Sequence, residues 1–317
     1  METNWDNDLL PALAGTAVRG IFGRPPGGNL TDVASKHIKA ARDHGLVFGF
    51  SLDDLCLDNR ELTRDRNREL RALLDRLVEL DVGEVIVSSF FLLELIKDRY
   101  PSLSVTISDN IAFDSVQRVH EFVKLGADNV LLRDMNRDFK QLKTVAAALP
   151  GVSRLVVNRA CVFDCALAIT HANERSHIRD RRDAPPLLVA DLCVQKLIQQ
   201  PSGLIRARWI RPEDLVYYEQ RGFDDFVIYA PARETDRILA AARAYDTRTS
   251  PDNLLDILSL PGDVRFEKVR EAVRLDSAVL DSLVEGFMNK DCRRDDCDVC
   301  GYCSAVAARA VVSRRPG

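Results

Sequence analysis

The chain has 317 residues, 46% of them apolar and 29% charged, with a formal net charge of -4. This is the balance of a soluble globular protein; it excludes a long disordered or collagen-like chain and leaves no global basic field, so nucleic acid is disfavoured as a partner. No apolar run approaches the ~20 residues that span a bilayer, and METNWDNDLLPALAGTAVRG lacks a basic segment followed by a sustained apolar one, so a cytoplasmic chain with no membrane partner is expected.

Over residues 17–245, short β-branched runs alternate with amphipathic stretches, as βα units around a parallel sheet require. The strand-like runs are AVRGIFG (17–23), LVFGFSL (46–52), EVIVSS (84–89), SVTISD (104–109), NVLLRD (129–134), RLVVN (154–158), LIRARWI (204–210) and DFVIYA (225–230), eight in all. Helices are expected over 61–80, 114–125, 138–149 and 234–245. In the first of these, Leu62, Leu70, Leu73, Leu74, Leu77 and Leu80 recur near helical spacing with arginines on the other face. Gly126 and Pro150 stand where helices end.

Eight strands with intervening helices predict an α/β fold, a TIM-type (β/α)8 barrel over residues 1–250, with a doubly wound open sheet as the alternative. Residues 251–317 form a short C-terminal extension, helical over 266–288 and then cysteine-rich. HANERSHIRDRRDAPPLLV (171–189) is charged and reads as an excursion or lid. GRPPGG (23–28) has no following Lys-Ser/Thr and reads as a loop rather than a phosphate cradle.

The eight cysteines divide evenly. Cys56, Cys161, Cys165 and Cys193 are scattered, whereas Cys292, Cys297, Cys300 and Cys303 crowd into DCRRDDCDVCGYC. A reducing compartment and a long chain argue against structural disulfides.

Cys161 and Cys165 follow the strand RLVVN, and Cys56 follows the second strand, so a barrel would bring them to its C-terminal mouth, where such enzymes place their active sites. All-cysteine ligation suits a four-iron four-sulfur cluster or zinc, and scattered loop ligands favour the cluster. The alternative is that all four are small buried hydrophobes. The CxxxCxxC of radical S-adenosylmethionine enzymes is absent, because residues 166–168 hold no cysteine. In the tail, two successive CxxC spacings are a strong metal signal, for zinc in a structural knuckle or for a second four-iron four-sulfur cluster.

Around these thiols, His171 is a candidate proton donor, with His177 a weaker one. Arg206, Arg208, Trp209 and Arg211 surround the seventh strand-like run, and Arg208 and Arg211 are candidates to clamp an anionic substrate, with structural salt bridges as the equal alternative. Glu213 and Asp214 look like helix capping. Tyr229, ending the last strand, faces the mouth. There is no GxSxG, HExxH or P-loop. Cys161 with His171 is the one arrangement open to a cysteine peptidase.

VVN followed by CxxxC and a downstream His, then Cys193, WIRPEDLVYYEQRGFDDFVIYAPARETDRILAAARAY and NLLDIL, together with SLDDLCLDNRELT, resembles the collagenase-like (U32) peptidase family. The likeness runs from about Val18 to the C-terminus and is nearest to bacterial members with a cysteine-rich tail. It implies a βα barrel that binds a four-iron four-sulfur cluster through Cys56, Cys161, Cys165 and Cys193.

The same likeness implies an oxygen-independent hydroxylase, as in ubiquinone biosynthesis, with prephenate as oxygen donor. A small-molecule or peptide substrate and a heterodimer partner of the same family are further implications. A peptidase and a non-catalytic subunit of a heteromeric enzyme are the alternatives. Relatives often carry another cysteine about a dozen residues before the CxxxC. Here the region of Leu149 has none, so Asn158 or an external ligand competes with Cys56 for the fourth iron.

Overall fold

The computed structural model describes residues 1–25, 30–178, 188–259 and 266–313. Seven strands form one parallel sheet whose spatial order is the chain order: β1 (Gly20–Gly23), β2 (Val47–Leu52), β3 (Glu84–Val87), β4 (Ser104–Ile107), β5 (Asn129–Leu132), β6 (Ser153–Val156) and β7 (Phe226–Val227). β1, β3, β4 and β5 are buried from their second residue onward, as strands covered on both faces must be. The sheet curls into an α/β TIM-type fold.

Side chains alternate between two apolar layers. Phe22, Ile86, Leu131, Val156, Val227 and Tyr229 form a small cluster inside the curl. Ile21, Phe50, Val85, Val105 and Leu155 join the larger core shared with the helices. The amphipathic stretches fold as expected, into Arg64–Glu79, Val116–Lys124, Phe139–Ala148 and Thr235–Asp246. Ser115 and Asp138 start two of them by accepting hydrogen bonds from Arg118 and Gln141 N–H groups.

The expected strand 204–210 is not in the sheet. Ser202–Arg206 is a helix, and only the residues after it are extended: Ala207 bridges Val162 antiparallel, and the Ile210 N–H donates to the Val157 carbonyl at 2.7 Å. The run lacks the alternation a strand needs, because Leu204, Ile205, Ala207, Arg208, Trp209 and Ile210 are all buried. The Trp209 indole N–H and Arg137 take the Leu204 and Ile205 carbonyls.

The place between β7 and β1 is filled instead by residues 1–3. The Phe22 N–H donates to Met1 O, Thr3 N–H to Phe22 O and Glu2 N–H to Ile228 O, at 2.8–2.9 Å. The exposed edges of the sheet thereby find partners.

The extension also departs from expectation. Of the helix expected over 266–288, only Phe266–Ala272 is α-helical, and a further helix, Tyr302–Ala310, runs through the cysteine-rich tail; Val273–Leu275 pairs antiparallel with Val311–Ser313, and Asp276 caps a short 3-10 turn. Residues 26–29 of the GRPPGG loop and 179–187 of the charged excursion lie outside the described residues; the excursion is entered from the helix Ala168–Ile178 and left by Leu188–Gln199. Among the described residues no helix is long and apolar enough to cross a membrane.

His37, 1% exposed, sits against Trp5 and Phe48 and bonds Thr3 Oγ1 at 3.0 Å and Asn7 Oδ1 at 2.7 Å. Burial pulls its pKa down to about 4, against the upward pull of Asp6. The unfolded ring titrates near 6.5, so between those values only the unfolded chain takes up the proton. Stability from this group is therefore full above about pH 6.5 and is lost as pH falls toward 4. Urea midpoints should drop between pH 7 and pH 5, and drop less in His37→Gln; equal drops would contradict a buried neutral ring.

Candidate functional site

A parallel barrel presents the residues that follow its strands at one mouth. Here polar residues within three positions of the strand ends gather: Asp53 after β2, Ser88 after β3, Asp109 after β4, Arg133 after β5, Arg159 after β6 and Tyr229 after β7.

Asp109, 1% exposed, is the hub. Its Oδ1 accepts from the Tyr229 hydroxyl at 2.7 Å and from Arg159 Nη2 at 3.4 Å, and its Oδ2 accepts from Arg133 Nη1 at 3.4 Å. Arg133 is also held by Asp134, at 3.0 and 3.1 Å. The Arg159 guanidinium lies 3.6 Å from the Tyr229 ring centroid. On the far side, Asn110 donates to Asp53, and Ser88 to the Asp53 carbonyl.

One buried carboxylate thus serves two guanidiniums. Arg159, 1% exposed, leaves Nε and Nη1 without any hydrogen-bond partner. A buried cation with idle donors is costly, and its N–H groups would suit the oxygens of a carboxylate or phosphate.

Beside it, Glu2 accepts from the Ala230 N–H at 3.0 Å, and burial pushes its carboxyl pKa up against the pull of Arg159. Burial likewise drives the Tyr229 hydroxyl well above its usual value, with Asp109 adding to it. The mouth therefore sets the unpartnered Arg159 donors beside a carboxyl and a phenol whose pKa values burial raises.

Cys161 opens into this cluster. Burial pushes its thiol up, and the groups acting most strongly on it are Arg133, Arg159, Asp109 and Arg175. Cys165 lies in the turn leading to the helix Ala168–Ile178, which carries His171, and Cys193 lies on Leu188–Gln199. All are half-buried, and none is in a disulfide.

Cys56, in the loop after β2, has Asp58 and His177 as its ligand-type neighbours, the three ligand atoms lying within 4.8 Å of one another. No three of the barrel cysteines close to that distance. They do not form a ready single-ion site, for which zinc would need sulfurs about 4 Å apart. The all-thiolate donor set, with Cys161 and Cys165 at the mouth, suits a larger cluster.

Arg208 and Arg211 serve different ends. Arg211 is saturated by Asp214, at 2.9 and 3.0 Å, and by Asp281 at 3.1 Å, so it clamps its own segment, and Asp214 makes no capping bond. Arg208 is 2% exposed, lies 3.5 Å from the Phe163 ring centroid and leaves both Nη groups unpartnered. Burial lowers its pKa to about 10, with Arg137 next in effect and Cys292 opposing.

The Cys303 thiol in turn feels Arg137, Cys292 and Cys297. Burial raises the Cys292 and Cys303 thiols, and the buried Arg137 guanidinium acts on both. No three of Cys292, Cys297, Cys300 and Cys303 bring their sulfurs within 4.8 Å of one another. A cavity of about 590 Å³ opens at the opposite end of the barrel, lined by Arg19, Glu84, Arg154 and Asp225. It contains none of these cysteines, and the Arg154–Glu84 pair there, 2.7 Å, is a closed ion pair.

No family model matches the sequence. Over 305 residues, 95% of this chain and 87% of the relative, it is 25% identical to the uncharacterized protease MJ1657 of Methanocaldococcus jannaschii. The solved structure of the U32 peptidase Mk0906 matches 58% of this chain and 79% of its own, with TM-score 0.50 and 23% identity. The fold is similar to that of a U32 peptidase.

The sequence pattern put Tyr229 and Cys161 at the mouth but carried no expectation for Asp109, Arg133, Arg159 and Glu2. The first three had a signal: each is a charged residue directly ending or following an apolar strand, in SVTISD, NVLLRD and RLVVNR. Glu2 had none, because nothing local marks residues 1–3 as part of the barrel.

Proposed function

We propose that this chain is an oxygen-independent hydroxylase acting at the barrel mouth on a small molecule or peptide, with an iron–sulfur cluster on Cys161, Cys165 and Cys193. Cys56, the fourth ligand expected from sequence, lies instead beside Asp58 and His177. The observation that carries the reading is the meeting of Cys161 with the buried, partly unpartnered guanidinium of Arg159 in one cationic cluster. Bound there, the cluster would supply redox and Lewis-acid chemistry.

The chain's own residues do the rest. Arg159, steadied by Asp109 and the Tyr229 ring, binds and orients a carboxylate; prephenate, a dicarboxylate, is the proposed oxygen donor. The Tyr229 hydroxyl keeps its proton beside that anion, and the apolar cluster beneath Tyr229 closes the mouth to water from inside the barrel.

The relative's name makes a peptidase the second reading. A cysteine nucleophile needs a lowered thiol pKa and a positioned base. Burial raises Cys161 instead, and no histidine is among the groups that act most strongly on it. Cys161→Ser separates the two. The hydroxylase reading expects iron to fall sharply in anaerobically reconstituted protein that keeps its circular dichroism. Full iron with lost peptide hydrolysis would overturn it in favour of the peptidase.

A further inference from the structure

The geometry points to a separate single-ion site for zinc, formed by Cys56, Asp58 and His177. Among the described residues these are the one set of three His, Cys, Asp or Glu ligand atoms within 4.8 Å of one another. His177 Nδ1 and Asp58 Oδ1 are 3.1 Å apart, near the roughly 3.4 Å edge between nitrogen and oxygen ligands of tetrahedral zinc. A thiolate and a carboxylate neutralise a divalent cation, and the imidazole adds a third donor of the type zinc takes. The His177 and Asp58 side chains are 37% and 32% exposed, so the fourth position is open to water and the ion has a path in.

The scaffold holds these donors together without the ion. The Ser176 hydroxyl accepts from the Leu55 N–H at 3.0 Å and the Cys56 N–H at 3.4 Å, and donates to the Ala172 carbonyl at 2.9 Å. It thereby clips the helix Ala168–Ile178 to the loop after β2, one residue away from each of the Cys56 and His177 ligands. The ion would lock together two segments of the mouth, from β2 and from beyond β6. Cys56 committed here cannot also ligate the barrel cluster, which leaves one iron for a non-protein ligand. The site stands independently of the hydroxylase reading, whose readout is iron.

Zinc per chain, measured by mass spectrometry on full-length protein loaded with zinc and desalted, tests it. His177→Ala and Cys56→Ser should each hold one equivalent less than the unaltered chain, whereas Cys165→Ser should hold as much. His177→Cys, which restores a ligand, should regain the ion, so a mere folding defect in His177→Ala is distinguishable. Cobalt in place of zinc should lose thiolate charge-transfer intensity in Cys56→Ser. Equal zinc in His177→Ala and the unaltered chain would overturn the site and leave an ordinary His177–Asp58 ion pair. Equal loss in Cys165→Ser would overturn it by assigning the zinc to the cysteine quartet.

Discussion

Replacing Asp109 by alanine is expected to destabilise the protein by about 3–5 kcal/mol, the cost of removing one partner from a buried charge network. The carboxylate is shared by Arg133, Arg159 and the Tyr229 hydroxyl, and three donors lose their acceptor at once. Arg133 keeps Asp134, but Arg159 keeps nothing except the Tyr229 ring. Asp109→Asn should recover little, since an amide retains the shape but not the charge. Urea unfolding of the two variants measures this, and a loss below about 1 kcal/mol would show that the guanidiniums are not held by Asp109.

Arg159→Met should behave in the opposite way. Its removal leaves Asp109 satisfied by Arg133 and Tyr229 and takes away a buried charge with two idle donors, so stability should be unchanged or rise. Ligand binding should collapse. Losing the buried cation that faces an anion costs about 2–5 kcal/mol, or roughly thirty- to four-thousand-fold in affinity. Calorimetric titration of prephenate into anaerobic protein, for the unaltered and Arg159→Met chains, reads that loss. A variant that is less stable yet binds equally well would make Arg159 a structural residue.

Much of the architecture was legible because parallel strands buried on both faces leave short, β-branched, near-continuous apolar runs, and seven of the eight runs are in the sheet. LIRARWI misled because its burial comes from the tail and from Arg137 rather than from strand neighbours, and apolar content alone does not distinguish those. Residues 1–3 were invisible because they join the sheet through backbone hydrogen bonds, which carry no side-chain signature.

At the site, Cys161 and Tyr229 could be placed from their position at strand ends. That Asp109 joins β4, β5, β6 and β7 through one carboxylate is a tertiary fact. So is the difference between Arg211, fully paired, and Arg208, with idle donors; the two arginines look alike in RARWIR.

The most direct measurement is iron and acid-labile sulfide in anaerobically purified protein whose Cys292, Cys297, Cys300 and Cys303 are replaced by serine. About four iron and four sulfide per chain are expected, held by the barrel. Zinc alone, or no iron beyond traces in a folded chain, would contradict a barrel cluster and with it the proposed hydroxylase.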